Sequence, residues 1–423
     1  MTSTTTALPR PDGTSPPPRS PLVEWLAVLS VMLGIFSIVT TEILPIGLLT
    51  SIGSGFAVSD GMAGLMMTMP GFLAAVSAPL VTVATARVDR RLMLCAFLLL
   101  LALANGLAAV APSFGLVLAS RVMVGVTIGG FWSIGAGLAD RLVPAEKVGR
   151  AVSVIFSAVP LGSVLGVPVG TLIGDAAGWR TAFAVLGVLA VGVLLLLLLV
   201  VPPLPPTGTT RRLRVLGGLL RGVNTRFALL LTVLVVLAHF GAYTYVTPFL
   251  EQVTHAGPTL ITLLLLTYGA AGILGNFLGG SVVARHPRAG FGAAAGLLAL
   301  ATLPLPLVGG SKAGAVVLLT LWGVAYGAVP VASRTCFARA APDTPEAASV
   351  LFTASFQATI SLGALVGGAV VDRTSPSAVM ALGGLTAGLA VLAVWGWTLT
   401  SRAAASPAGG RRGGGARPAG RRP

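Results

Sequence analysis

The sequence predicts an all-α polytopic membrane protein with twelve transmembrane helices in two pseudo-symmetric six-helix bundles. Three observations lead to this fold class: the composition, the number of long apolar segments and an internal repeat. Hydrophobic residues make up 55% of the 423 residues and charged residues only 9%, against roughly 25% charged in ordinary soluble domains. The mean hydropathy is +0.93. This composition argues against a soluble enzyme, a nucleic-acid-binding protein and a secreted disulfide scaffold.

Twelve apolar segments are long enough to cross a bilayer, which requires about 20 residues per helix. Proline and glycine inside these segments do not exclude them, because neighbouring helices can satisfy the backbone groups that such residues free. The predicted spans are residues 24–49, 59–83, 92–111, 113–139, 150–174, 180–201, 226–250, 258–283, 290–309, 313–338, 347–371 and 377–400.

The longest internal connection divides these spans into six and six. We therefore predict a disordered tail over residues 1–21, a first bundle over 22–201, a linker over 202–225, a second bundle over 226–400 and a basic disordered tail over 401–423.

Basic residues indicate the orientation, because Lys and Arg concentrate on the cytoplasmic side of membrane proteins. With a cytoplasmic N-terminus, the inner segments hold 23 of the 27 Lys and Arg residues. The outer loops hold only Arg180, Lys312 and Arg373. We expect a multi-pass protein of the inner (plasma) membrane with both termini in the cytoplasm. The formal net charge of +15 then points to lipid rather than nucleic acid as the anionic partner.

The two halves repeat each other at an offset of about 200 residues. Gly125 to Gly129 match Gly323 to Gly327, and Arg141 matches Arg339. Pro45 of span 1 falls opposite Pro248 of span 7. Paired bundles of this kind are typical of transporters that bind their substrate near the middle of the membrane.

Two ionisable residues, Glu42 in span 1 and Arg121 in span 4, lie deep inside early spans. A charge at such depth costs about 2.5–3.5 kcal/mol on insertion scales, so it suggests a function. At 1.5 Å rise per residue, both lie roughly 10–12 Å from the outer ends of their spans and can meet at one level. A conformational change that separates them would change how tightly Glu42 holds a proton, which would couple protons to transport. A static buried ion pair, or a Glu42 wetted near the outer mouth, explains the pair equally well.

Two further motifs have both a functional and a packing interpretation. The short link that contains Arg87, Asp89, Arg90 and Arg91 is either a cytoplasmic gate or a positive-inside anchor whose Asp89 favours a helix N-terminus. Span 5 places glycines at every fourth position, which favours close helix packing or a helix that bends during transport. Its motif residues are Gly162, Gly166, Pro168 and Gly170.

Several aromatic and polar residues are candidates for lining a substrate cavity, although each is also a common helix-packing residue. They are Trp132, His239, Tyr243, Tyr245, Asn276, Tyr326 and Gln357.

Enzymatic motifs are absent from the sequence. There is no P-loop pattern, no zinc-ligand spacing and no catalytic triad pattern. Both cysteines, Cys95 and Cys336, lie in apolar runs. We therefore expect a protein that is not an enzyme, carries no cofactor or metal, and draws on a proton gradient.

A set of local motifs resembles the major facilitator superfamily. They include TEILPIGLL (41–49), ARVDRR (86–91), GGFWS (129–133), LGVPVGT (165–171), TYVTPFL (244–250) and GILGNFLGG (272–280). They are most similar to its twelve-helix drug:proton antiporter branch, near purine ribonucleoside efflux pumps and bacterial sugar (arabinose) efflux permeases. The resemblance covers spans 1 to 8 well and the last four spans less clearly.

The resemblance implies alternating access between two bundles, with efflux of a small solute against inward proton flow. It implies that Asp89 and Arg90 gate the cytoplasmic side, that Arg121 takes part in proton transfer and that Gly166 to Gly170 belong to the antiport motif. The matching loop of the second half, Arg285 to Arg288, has no Asp.

The predicted function is proton-coupled efflux of a small organic solute, such as a purine ribonucleoside, a sugar or a drug, by a monomer. Two alternatives remain open at this point: a proton symporter or facilitator for uptake, and a membrane sensor that does not transport.

Overall fold

The computed structural model describes residues 20–405, except residues 86, 136–137 and 207–217. Every regular element in this part of the chain is helical, and twelve helices are long and apolar enough to cross a membrane. The twelve-helix prediction is confirmed. Their main segments are α1 (Pro21–Gly55), α2 (Leu65–Ala84), α3 (Arg90–Val110), α4 (Phe114–Gly135), α5 (Val148–Ala177), α6 (Trp179–Val200), α7 (Val223–Tyr243), α8 (Pro258–Arg285), α9 (Pro287–Thr302), α10 (Lys312–Gly327), α11 (Pro345–Arg373) and α12 (Pro376–Ala405).

Short helices extend several of these segments. Asp60–Ala63 precedes α2, Val246–Gln252 follows α7, Leu305–Val308 follows α9 and Val329–Ala340 continues α10. The two short elements Ala139–Leu142 and Ala145–Lys147 connect α4 to α5.

Several helices are longer than the sequence indicates. Helix α1 continues six residues past the predicted end at residue 49, through the polar residues Thr50, Ser51 and Ser54. Helix α12 continues to Ala405, past the predicted start of the tail at residue 401, because Arg and Ala are strong helix formers. The rest of both predicted tails and residues 207–217 of the predicted linker lie outside the described residues.

Packing divides the helices into a first half, α1–α6, and a second half, α7–α12. Within the halves the closest pairs are α1 with α5, α2 with α4, α8 with α10 and α3 with α6. One hydrophobic cluster lies wholly within the first half, from Ala27 to Leu204. A second is built mainly from the second half and reaches across to Ile46, Met67 and Val167. Between the halves, α2 packs on α11 and α5 packs on α8.

The two ends of the bundle differ in charge. The basic end, where Pro21 and Ala405 lie, carries Arg90, Arg141, Arg288 and Arg339. The opposite end carries Asp60, Glu251 and Asp372, and we call it the acidic end.

Glycine sets the closest helix contacts, as expected where lipid provides no hydrophobic drive between helices. On α8, a Cβ added at Gly275 would overlap the backbone of Val324 on α10. Backbone atoms cannot rotate away as a side chain can, so this contact requires glycine.

We predict that Gly275→Ala lowers the free energy of unfolding by about 1–3 kcal/mol, the usual cost of overpacking. The matched control is Gly192→Ala on α6, where an added Cβ meets nothing within 4 Å. Thermal unfolding in detergent measures both variants. Equal melting temperatures for the two would contradict the proposed contact.

Candidate functional site

Arg121 is the most deeply buried charged residue of the first half, with 1% of its surface exposed. Its guanidinium donates three hydrogen bonds to backbone carbonyls. Nη1 donates to Thr41 O at 2.9 Å, Nη2 to Glu42 O at 3.0 Å and Nε to Met66 O at 3.0 Å. Arg121 therefore joins α4 to both α1 and α2.

Two prolines explain why these carbonyls need a donor from outside their helices. Proline has no N–H, so the carbonyl four residues earlier loses its helical hydrogen bond. Pro45 lies inside α1 and Pro70 inside α2, which frees the carbonyls of Thr41 and Met66. Arg121 supplies the missing donors. We call the Arg121 guanidinium, the two prolines and the carbonyls that they free the Arg121 arrangement.

Glu42 lies beside this arrangement and faces the second half. Its side chain is buried, with 8% of the residue exposed. The amide Nε2 of Gln357, on α11, donates a hydrogen bond to Glu42 Oε1 at 3.1 Å. Both Glu42 and Arg121 belong to the described residues, and no salt bridge joins their side chains. The two residues lie at one level, but Arg121 contacts the Glu42 carbonyl rather than its carboxylate.

The hydrogen bond between Glu42 and Gln357 is incomplete. The Oε1 atom of Gln357 is buried and has no hydrogen-bond partner in the described structure. A carboxylate cannot donate to this oxygen, whereas a protonated carboxylic acid has an O–H that can. The pair therefore has an acceptor available for a proton bound to Glu42.

An aromatic cluster in the second half surrounds His239. Trp322 Nε1 donates to His239 Nδ1 at 3.0 Å, and Tyr268 Oη lies 3.4 Å from His239 Nε2. The rings of Tyr243 and Tyr326 stack on the imidazole, with centroids 5.0 and 3.4 Å away. Because Nδ1 accepts a hydrogen bond, this geometry holds the imidazole in its neutral form with the proton on Nε2.

Hydrogen bonds join the two halves at the acidic end. Ser59 Oγ donates to Asp372 Oδ2 at 2.7 Å, and Gly61 N donates to Asp372 Oδ1 at 2.8 Å. Thr50 Oγ1 donates to Glu251 Oε1 at 2.9 Å. Burial raises the pKa of the Glu251 carboxyl above its ordinary value. We call these contacts the acidic-end seal.

The predicted gate residues lie at the basic end. Asp89 caps α3 by accepting from the backbone N–H groups of Arg91 and Leu92 at 2.8 and 3.4 Å. Arg90 Nη1 donates to Thr85 O at 3.2 Å, and Arg91 donates to Leu198 O. Arg87 is exposed. These hydrogen bonds lie within the first half, so they form an anchor for α3, and none of them closes a passage between the halves.

The glycines of span 5 face α1. Cβ atoms added at Gly162 and Gly166 would lie 3.0 Å from Val39 and 2.8 Å from Thr40, and one at Gly170 would overlap Leu44. Pro168 is buried in the same stretch. In this conformation the motif provides close packing between α1 and α5.

Three remaining candidates are dispersed. Trp132 contacts Phe156 with ring centroids 6.2 Å apart. Tyr245 is fully buried and donates to Ala364 O at 2.6 Å, away from the His239 cluster. Asn276 on α8 is half-buried. The structure therefore forms two groups of predicted residues, one with Glu42, Arg121 and Gln357 and one with His239, Tyr243 and Tyr326. Trp132, Tyr245 and Asn276 belong to neither group.

The sequence analysis missed two sets of residues. Tyr268 belongs to the His239 cluster, and its isolated position in an apolar run gave no signal. The acidic-end seal was also missed, although Asp60 and Asp372 stand next to predicted span ends, where polar contacts between helices occur.

We predict that Arg121→Leu lowers the free energy of unfolding by about 2–5 kcal/mol, because it leaves freed buried carbonyls without donors. Adding Pro45→Ala returns an N–H that can reach Thr41 O, so it should recover part of the loss. The exposed Arg150→Leu is the control. The coupling is tested by thermal unfolding of the unmodified protein, Arg121→Leu, Pro45→Ala and the double variant, which together form a double-mutant cycle. Arg150→Leu is measured beside them. Strictly additive effects of Arg121→Leu and Pro45→Ala would contradict it.

Comparison with known proteins agrees with this architecture. The family model for the Major Facilitator Superfamily matches residues 29–350 and, in an overlapping match, 228–421. Among solved structures, the chain is similar to a bacterial homolog of the human lysosomal transporter Spinster in its inward-facing, unoccupied conformation. The identity is 17% and the TM-score 0.70, over 91% of this chain and 98% of that one.

The inward-facing, occupied form of that homolog gives a similar result. It is 18% identical with a TM-score of 0.70, over 90% of this chain and 96% of that one. At this identity the likeness concerns the fold alone, while the family match spans most of the chain. The protein with this buried arginine and its two helical halves belongs to the Major Facilitator Superfamily.

Proposed function

We propose that this protein is a secondary transporter that exports a small organic solute in exchange for protons, with Glu42 as the proton-binding group. Family membership supports transport by alternating access between the two halves. One observation carries the proton coupling: Glu42 is a buried carboxylate of the first half whose side chain is bonded to the second half through Gln357. Any motion that separates the halves must break this bond.

The exchange requires that Glu42 bind a proton in one conformation and release it in the other. In the conformation observed, Gln357 Oε1 has no hydrogen-bond partner in the described structure, so it can accept the O–H of a protonated Glu42. When the halves separate at the basic end and water from the cytoplasm reaches the carboxyl group, the proton passes from Glu42 to that water and the carboxylate remains. The neighbouring Arg121 then favours the negative charge. Solute bound in the opened cavity would complete the exchange.

The charge distribution supports an orientation for this cycle. The positive-inside rule places the basic end in the cytoplasm. The acidic-end seal then closes the outer side in this conformation. The membrane is proposed to be the cell's inner (plasma) membrane, and the functional unit a monomer.

The His239 cluster supports a solute that carries a planar ring. Tyr326 stacks on His239 and is only half-buried. A half-buried aromatic face suits a purine ribonucleoside, because planar rings stack on aromatic side chains. Sugars and ring-bearing drugs are the next candidates.

We predict that Glu42→Gln abolishes pH-driven transport while leaving the fold intact. The assay uses proteoliposomes loaded with radiolabelled inosine, then arabinose and chloramphenicol, with an imposed pH gradient. The exposed Glu146→Gln on the α4–α5 connection is the matched control, and it should transport as the unmodified protein does.

Coupling to the gradient that is undiminished in Glu42→Gln would contradict the assigned role. Solute flux that occurs in the unmodified protein but ignores the pH gradient would indicate a facilitator and contradict antiport. If all three solutes fail to move, the same protein is tested by its ability to protect an efflux-deficient host against nucleoside analogues, sugars and antibiotics.

The acidic-end seal must open during alternating access. We predict that Ser59→Cys/Asp372→Cys, in a Cys95→Ala/Cys336→Ala background, loses transport when the two thiols are joined by a short bifunctional thiol reagent with a reducible bridge. Reduction should restore transport. The single variant Ser59→Cys, treated in the same way, controls for modification alone. Full transport with the seal cross-linked would contradict alternating access at this end.

A further inference from the structure

A cavity of about 470 Å³ lies at the basic end of the second half. It is an open cavity bordered by the ends of α7, α8, α9 and α12, the link between α8 and α9, and the helix that continues α10. Its basic lining residues are Arg285, His286, Arg288 and Arg339. None of them takes part in the proton-binding site, so the cavity needs a separate explanation.

At the matching positions of the first half, the chain segment that follows α6 contacts the bundle. The backbone N–H of Arg90 donates to Leu204 O at 2.8 Å, and Arg141 Nη2 donates to Pro205 O at 2.7 Å. Leu204 is 3% exposed. The segment after α6 therefore turns under the basic end of the first half. Its carbonyls accept hydrogen bonds from the Arg90 backbone and the Arg141 guanidinium.

The internal repeat identifies the equivalent arginines of the second half. Arg288 follows Arg90 by 198 residues, and Arg339 follows Arg141 by the same interval. Both Arg288 and Arg339 line the cavity. The two halves thus place equivalent cations at equivalent positions. In the first half the segment after α6 bonds to the Arg90 backbone and the Arg141 side chain, whereas in the second half the matching arginines line a cavity.

The described part of the C-terminal segment follows a different course from the segment after α6. Helix α6 ends at Val200, which allows residues 201–206 to turn under the bundle. At the matching point α12 remains helical and continues to Ala405. The residue at the position of Leu204 is Arg402, and five more arginines follow it in the sequence. Like charges disfavour this segment as the occupant of a basic cavity.

The rest of the lining combines these cations with apolar and aromatic groups. Phe227, Ala228 and Cys336 line the cavity. Trp397 stacks on Phe227 with ring centroids 4.3 Å apart, and the guanidinium of Arg288 lies 5.6 Å from the Trp397 ring. A ligand that fits must carry a negative charge and an apolar part.

We propose that this cavity is a binding site for the phosphate headgroup of an anionic phospholipid, with Arg288 and Arg339 as its principal ligands. Basic pockets between transmembrane helices at the cytoplasmic side suit such headgroups. Arginine binds phosphate through paired N–H donors, and the apolar wall accommodates the start of an acyl chain.

Native mass spectrometry of the purified full chain in neutral detergent tests the site. The probes are phosphatidylglycerol and, as the zwitterionic comparison, phosphatidylcholine. Each arginine near a membrane surface contributes about fivefold in affinity for anionic lipid. We therefore expect Arg288→Gln/Arg339→Gln to bind phosphatidylglycerol about 30-fold more weakly, and phosphatidylcholine unchanged.

The matched control is Arg150→Gln/Arg221→Gln, which removes the same charge from exposed basic positions that do not line the cavity. It should retain the affinity of the unmodified protein. An equal loss of phosphatidylglycerol binding in both double variants would overturn the proposal, because it would mean that surface charge alone attracts the lipid.

A second measurement reports on the cavity without changing its arginines. Cys336 lines the cavity, so in a Cys95→Ala protein phosphatidylglycerol should slow labelling of Cys336 by N-ethylmaleimide at least fivefold, and phosphatidylcholine should not. Equal protection by inorganic phosphate alone would overturn the assignment to a lipid. Labelling that phosphatidylglycerol leaves unaffected would overturn the site itself.

Discussion

A buried guanidinium in a membrane protein must find all of its acceptors inside the protein, because lipid offers none. Arg121 donates to three backbone carbonyls, and two of these are open because Pro45 and Pro70 remove helical N–H donors from α1 and α2. The insertion cost of one arginine and the cost of two interrupted helices therefore offset each other. The position of α4 against α1 and α2 depends on this exchange, and so does the level at which Glu42 enters the interface.

With the first half held in this way, Glu42 becomes the group that links it to the second. Its backbone carbonyl belongs to the Arg121 arrangement, while its side chain belongs to the contact with Gln357. A proton on Glu42 would complete that contact, and its departure would leave a charge next to Arg121. Glu42 therefore contacts Arg121 in its own half and Gln357 in the other half. The glycine contacts of α5 on α1 and of α8 on α10 pack the helices of each half closely together.

Much of the fold was readable from the sequence, because hydropathy and span length are local properties. The depth of Glu42 and Arg121 was also readable, because helical rise converts residue number to height. The sequence did not reveal which groups accept the hydrogen bonds of Arg121. Residue spacing suggested a carboxylate–guanidinium pair, whereas the connection runs through carbonyls that Pro45 and Pro70 free, and this depends on how α2 lies against α4. Gln357 appeared only as an isolated amide, since its partner is 315 positions away.

The ends of the helices were harder to predict for a related reason. Thr50, Ser51 and Ser54 look like a span boundary, but α1 continues through them, and Thr50 bonds to Glu251 of the other half. Polar residues near a span end can mark either water or a partner helix, and the local sequence does not distinguish these cases. Asp60 and Asp372 gave the same ambiguity, and Asp372 became part of the acidic-end seal.

The central claim is that Glu42 takes up and releases a proton at the interface of the two halves. Infrared difference spectroscopy of the purified protein across a pH series follows the C=O band of protonated carboxyl groups and needs no knowledge of the solute. The account predicts a titrating band that is missing in Glu42→Gln and shifted in frequency in Gln357→Leu. Identical titrating bands in the unmodified protein and in Glu42→Gln would contradict it.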